Sequence, residues 1–182
     1  MRLRSALLLV ALLAAVLAAA NHHRQVRRAA PLTTANGSIS GLCERVIDGD
    51  TIVLAGGEHV RYIGIDTPEA ARNGHPAQRM ADEATQLNRR LVEGRPVRIA
   101  LDVRERDRYG RLLGYVYVRD EASGDEVFVN AELVKAGYAQ AYTLPPDVRY
   151  SELLLELERQ AREQGRGLWG EHDAPVAPAY QP

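Results

Sequence analysis

The chain has 182 residues, 46% of them hydrophobic and 26% charged, the composition of one ordinary globular domain with tails. A formal net charge of -1 excludes a globally basic nucleic-acid coat, while leaving room for a local cationic groove. Cys43 is the sole cysteine, which excludes an intrachain disulfide and a cysteine-rich zinc site; a buried, inert thiol on a strand is expected.

At the start, Arg2 and Arg4 precede an unbroken apolar run from Ala6 to Ala20. That run suits a signal-peptide core and falls short of the ~18–20 residues that span a bilayer. Ala18-Ala19-Ala20 offers a small-x-small cleavage pattern, with Asn21 as the mature start. The alternative is an uncleaved anchor over residues 5–20, favoured by Arg24, Arg27 and Arg28, because positive charge beyond the run resists translocation. Either way the folded part lies outside the cytoplasm, secreted or periplasmic. Residues 21–37 carry Pro31 and Asn36-Gly37 and read as a linker, with His22 and His23 as solvated tail. The domain is expected over 38–171, followed by a proline-containing disordered tail over 172–182.

Within the domain, β signals come first. Ile39–Ile47 and Thr51–Leu54 read as strands around Asp48-Gly49, and Ala55-Gly56-Gly57 turns the chain into a third, His59–Ile65. Met80, Ala84, Leu87 and Leu91 share one helical face, and Gly94 ends that helix. Val97–Leu101 and Leu112–Val118 are two further strands with a charged segment between them. Asn130 is placed to cap a short helix carrying Leu133 and Val134 and closed at Gly137. A last helix runs from Ser151 to Gln164, with Leu154, Leu157 and Ala161 inward. Five or so short strands with interspersed helices suit a small closed barrel better than a parallel α/β sheet.

The chemistry begins at Asp48-Gly49-Asp50-Thr51, which alone is only a hairpin signal. A second acidic cluster follows in Asp66-Thr67-Pro68-Glu69, where Pro68 forces Thr67 to be extended. Two aspartates at strand ends, joined by a backbone carbonyl, can converge on one hard cation. So few carboxylates imply weak binding, retained waters and completion by a substrate phosphate. Phosphoryl chemistry also needs positive charge, for which the planar arginine fork is suited. Arg61 leads into Asp66, and Arg111 closes the run Arg106-Asp107-Arg108-Tyr109-Gly110-Arg111. That run would otherwise read as a solvated loop, but Tyr109 offers a face to a nucleotide ring and Gly110 permits close backbone approach. Glu69 is then left to activate a water.

The order Asp50, Arg61, Asp66-Thr67-Pro68-Glu69, Tyr109-Gly110-Arg111 closely resembles the staphylococcal nuclease (thermonuclease) family. The resemblance runs from Val46 to Trp169 and includes Val46-Ile47-Asp48-Gly49-Asp50-Thr51, Asn130 with Leu133-Val134, and the terminal Gly167-Leu168-Trp169. It implies an α+β, mainly β, five-stranded OB-fold barrel with about three helices. It implies Ca2+ held by the Asp50 and Asp66 carboxylates and the Thr67 carbonyl, with Arg61 and Arg111 clamping the scissile phosphate and Arg111 stabilising the transition state. By the same resemblance Glu69 is the general base, Arg108 and Tyr109 contact a nucleotide phosphate, and Tyr142 lies near another nucleotide-contacting tyrosine. Such enzymes cut DNA and RNA with little sequence preference and leave 3′-phosphate ends. A monomer acting on single-stranded substrate, without a stable protein partner, is expected. The Ala55-Gly56-Gly57 turn and the segment from Ala70 to Arg79 depart from the family's best-known member.

Three rivals are weaker. A non-catalytic OB module binding single strands or a peptide is opposed by the full set of active positions. A calcium-binding or adhesion domain needs more than two carboxylates and is ill served by adjacent arginines. A histidine–metal nuclease needs paired ligands, whereas His59 and His75 are the only domain histidines and read as surface or satisfied core residues.

Overall fold

The computed structural model describes residues 33–35, 37–71 and 74–170. The signal or anchor reading, most of the linker and the tail after Gly170 lie outside them. Among the described residues, no helix is long and apolar enough to cross a membrane.

A five-stranded barrel forms the centre. Its strands are β2 (Ser38–Val46), β3 (Thr51–Leu54), β4 (His59–Tyr62), β6 (Pro96–Ala100) and β7 (Leu112–Arg119), paired in the order β2-β3-β4-β7-β6 and closed by β2–β6. All pairs are antiparallel except β4–β7, so the barrel is mixed, as the OB-fold requires. Closure depends on β2. Its first half pairs with β6 and its second with β3, and a register shift between Cys43 and Arg45 bends it from one partner to the other. β1 (Thr33–Ala35), within the stretch read as linker, pairs with the start of β2, and Gly37 at φ 70° makes the reversal. β8 (Glu126–Phe128) extends β7 at the far end. Three helices complete the domain: α1 (Ala81–Val92), α2 (Val129–Lys135) and α3 (Ser151–Glu163), with a short 3-10 turn at Gly167–Trp169. Cys43, Ile52, Leu54, Val60, Ile99, Val116, Leu133 and Leu154 are buried in one apolar core. Burial, with Glu93 nearby, pushes the Cys43 thiol up to about 12, so it is inert packing as expected.

Three local expectations need correction. The predicted strand His59–Ile65 is broken, because Gly64 at φ 79° turns the chain between β4 and β5 (Ile65–Asp66). A Cβ at Gly64 would also meet Leu154 Cδ1 at 2.6 Å, so any other residue there is strained in φ and displaces Leu154. β5 then pairs with β9 (Gln140–Ala141), which carries Asp66 away from the barrel wall. Asn130 is not a helix cap. It lies inside α2, fully buried, donating to the Ile63 carbonyl at 2.8 Å and accepting from Val116 N–H at 3.0 Å. Phe128 occupies the cap position with no side-chain bond. The inward face of α1 is Ala81, Ala84, Thr85, Asn88 and Val92, with Leu87 and Leu91 only half-buried. Asn88 is hydrogen-bonded on this buried face, and Leu87 and Leu91 pack against the core at its edge. On α3, Leu154 and Ala161 are buried and Leu157 packs against the core, as the periodicity predicts.

Candidate active site

The acidic turn between β2 and β3 is built from backbone outward. Asp48 Oδ1 accepts Asp50 N–H at 3.2 Å, tightening the loop. Its floor is a buried polar chain: the Tyr62 hydroxyl donates to Asn88 Oδ1 at 2.8 Å, and Asn88 Nδ2 donates to the Asp48 carbonyl at 3.1 Å. Gly49 has a steric reason, since a Cβ there would meet the Thr67 side chain at 2.7 Å. Thr67 therefore sits directly over the turn, giving both its N–H and its hydroxyl to Asp50 Oδ2, each at 2.9 Å. Two segments far apart in sequence are thus brought to one point.

Arg61, from β4, bridges the two aspartates. Its Nη2 donates to Asp66 Oδ1 at 2.7 Å, and Nη1 forms an ion pair with Asp50 Oδ2. Burial opposes its charge, yet Asp50, Asp66 and Asp48 outweigh that cost and its pKa is raised. The carboxylates carry the opposite tension. Burial, then the charge of Asp50, pushes Asp48 up to about 6. Burial also raises Asp66; Arg61 counteracts it, while Asp50 and Glu69 add to it. Three acids therefore crowd one guanidinium and share excess negative charge. A set of hard oxygen donors in that state fits a divalent cation. Among the described residues no group of three or more His, Cys, Asp or Glu side chains is arranged to hold a metal ion, so a cation at Asp50 and Asp66 would need further oxygens from backbone, water or substrate.

Arg61 also lines a cleft of about 670 Å³. The cleft is lined further by Arg104, Arg106, Arg108, Tyr109, Arg111 and Tyr142, with Leu113 and Leu144 among its apolar lining. Asp107 organises the basic loop: its Oδ1 accepts the N–H groups of Tyr109 and Arg111, and its Oδ2 accepts Arg111 Nε at 2.7 Å. Gly110 at φ 81° closes that turn. The bond to Nε fixes the plane of the Arg111 guanidinium without using its two terminal nitrogens. Tyr109 is 67% exposed, with the Arg108 and Arg111 guanidiniums 4.9 and 5.5 Å from its ring centre.

The predicted residues therefore fall into two groups that meet at Arg61. Asp50, Asp66, Thr67 and Glu69 lie on its acidic side; Arg108, Tyr109, Arg111 and Tyr142 line the cleft. Glu69 is exposed and is not part of the cleft wall.

A sequence profile described as "Staphylococcal nuclease homologue" matches residues 59–171, more than half of the chain. The chain belongs to the staphylococcal nuclease family. Among its relatives, the thermonuclease of Staphylococcus hyicus is 35% identical over 145 residues, covering 78% of this chain and 82% of its own. The thermonuclease of Staphylococcus intermedius is 36% identical over 133 residues, 71% of this chain and 76% of its own. Endonuclease YncB of Bacillus subtilis is 35% identical over 131 residues, 69% of this chain and 59% of its own.

Several residues that shape this family member's site escape a motif search. Arg104 donates through Nε to the buried Asp147 at 2.7 Å, and Arg106 holds Glu58 in a fork at 2.8 and 2.9 Å. These two pairs moor the basic loop to neighbouring segments. Their only sequence signal is charge density between Asp102 and Arg111, which is shared with any solvated loop. Asn88 has less still, because a buried polar residue on a helix is invisible to periodicity.

Proposed function

We propose that this phosphodiester hydrolase of the nuclease type cuts DNA and RNA at the junction between the acidic turn and the arginine-lined cleft. The observation that carries the reading is Arg61, which touches both Asp50 and Asp66 and also opens onto the cleft that holds Arg111. A scissile phosphate placed there meets two guanidiniums on one side and the carboxylates on the other.

The Asp50 and Asp66 carboxylates and the Thr67 carbonyl would hold a divalent metal, and we assign it as calcium. When bound, the ion supplies charge neutralisation and polarises phosphate oxygens. Glu69 takes a proton from a water, which attacks phosphorus in line. Arg61 and Arg111 each face non-bridging oxygens, and Arg111, held at Nε by Asp107, offsets the charge that grows in the transition state. Departure of the 5′-oxygen leaves a 3′-phosphate. Arg108, Tyr109 and Tyr142 bind the flanking nucleotide, Tyr109 through its exposed ring. Single strands suit this cleft best, because unpaired bases can reach the tyrosines. The protein works as a monomer, with residues 1–20 exporting it from the cytoplasm; it meets a membrane only where that segment stays uncleaved.

Product analysis tests the assignment. With calcium the full chain should leave oligonucleotides with 3′-phosphate ends, which phosphatase makes extendable by a polymerase. Magnesium demands near-ideal octahedral geometry and should support turnover poorly. Equal rates in both metals, or 3′-hydroxyl products, would refute the metal and the bond assigned.

A further inference from the structure

Glu69 is exposed, yet the backbone on either side of it is held. Upstream, Pro68 is buried and Thr67 is bonded to Asp50. Downstream, Glu69 and Gln78 clasp each other across the base of the 69–78 loop. Gln78 N–H donates to the Glu69 carbonyl at 2.9 Å, and Glu69 N–H donates to Gln78 Oε1 at 2.9 Å. The next residue anchors the clasp elsewhere in the fold. Arg79 donates to the carbonyls of Gly167, Leu168 and Gly170 at 2.7, 3.1 and 3.4 Å, around the 3-10 turn at Gly167–Trp169. Met80 follows at φ 67°, a left-handed conformation that non-glycine residues rarely adopt, at the entry to α1.

We propose that Gln78 is a positioning residue for Glu69, its amide oxygen fixing the peptide from which the Glu69 carboxylate reaches the attacking water. The proposal rests on the reading of Glu69 as the base. A glutamate side chain has three rotatable bonds, so its reach depends on a fixed backbone. Without an acceptor for its N–H, the peptide entering Glu69 loses one of its two ties to Gln78, and only the backbone bond to the Glu69 carbonyl remains on that side. Misplacement of a reacting group by about 1 Å can cost on the order of 10²-fold in rate, and a loosened clasp costs part of that. Arg79 supplies the fixed point against which the clasp works, since its partners lie on a different part of the fold.

The test uses the full-length protein with calcium and a single-stranded oligonucleotide, measuring kcat, KM and the thermal midpoint. Gln78→Met keeps length but removes the acceptor, and should lower kcat about tenfold with KM held within about twofold. Gln78→Glu keeps an oxygen at the same reach and should recover most of that loss. In a Glu69→Gln background, Gln78→Met should have no further effect, because the two changes act on one step. Wild-type kcat for Gln78→Met, or a loss that multiplies in the Glu69→Gln background, overturns the proposal. Glu69→Gln turning over at the wild-type rate overturns the base assignment instead, and with it the reason for a clasp.

Discussion

Arg111→Ala is expected to lower kcat by about 10²–10³-fold, or about 2–4 kcal/mol of barrier, while the protein stays folded. The reason is the division of labour within one side chain. Nε is committed to Asp107, which sets the guanidinium plane, and the terminal nitrogens remain for the phosphate. The ion pair with Asp107 is partly buried but local, within a five-residue turn, and Asp107 keeps its bonds from the Tyr109 and residue-111 N–H groups, so its loss costs little stability. Arg111→Lys should behave almost like the alanine variant, because an ammonium cannot present two parallel donors. Steady-state kinetics with a thermal melt alongside separates the cases. A variant with wild-type kcat, or one that fails only because it unfolds, contradicts the role.

Arg61→Ala is expected to affect folding, metal binding and catalysis at once, and in different directions. Removing this guanidinium leaves Asp48, Asp50 and Asp66 facing one another without compensation. In chelator the variant should unfold about 2–3 kcal/mol more easily, a value discounted because Asp66 is partly exposed. Calcium should then bind more tightly than in the wild type and restore most of the lost stability, because ion and arginine compete for the same carboxylates. Turnover should nonetheless fall by at least ~10²-fold, since one of the two phosphate-facing guanidiniums is gone. Urea denaturation with and without calcium reads the first two effects together. Stability equal to wild type in chelator, or weaker calcium binding, contradicts the picture of Arg61 as the counter-charge of this cluster.

The parts of the candidate site legible in sequence are those that come in short local runs. Asp50, Asp66, Thr67 and Glu69 sit in two tetrapeptides whose turn and proline chemistry limits where they point, and Arg111 follows a glycine that the structure places at positive φ. The barrel was legible because its strands alternate or are bounded by turn residues. What failed were assignments that depend on the third dimension. Asn130 carries a genuine capping signal, yet its amide is spent joining β7 to the Ile63 carbonyl. His59–Ile65 has the pattern of one strand, and the break lies at Gly64, whose positive φ turns the chain beneath Leu154, some ninety positions later. Asn88 lies at the centre of the buried face of α1, with Leu87 and Leu91 packed at its edge, and nothing near Asn88 in sequence announces its partners Tyr62 and Asp48.

The most direct measurement is digestion of single-stranded DNA by the full-length protein, with calcium and with chelator, beside a folded Glu69→Gln variant. Cutting that requires calcium and disappears in the variant is the predicted result. A folded wild-type protein that binds single strands but leaves them intact in calcium would contradict it, and would make the cleft a binding surface rather than an active site.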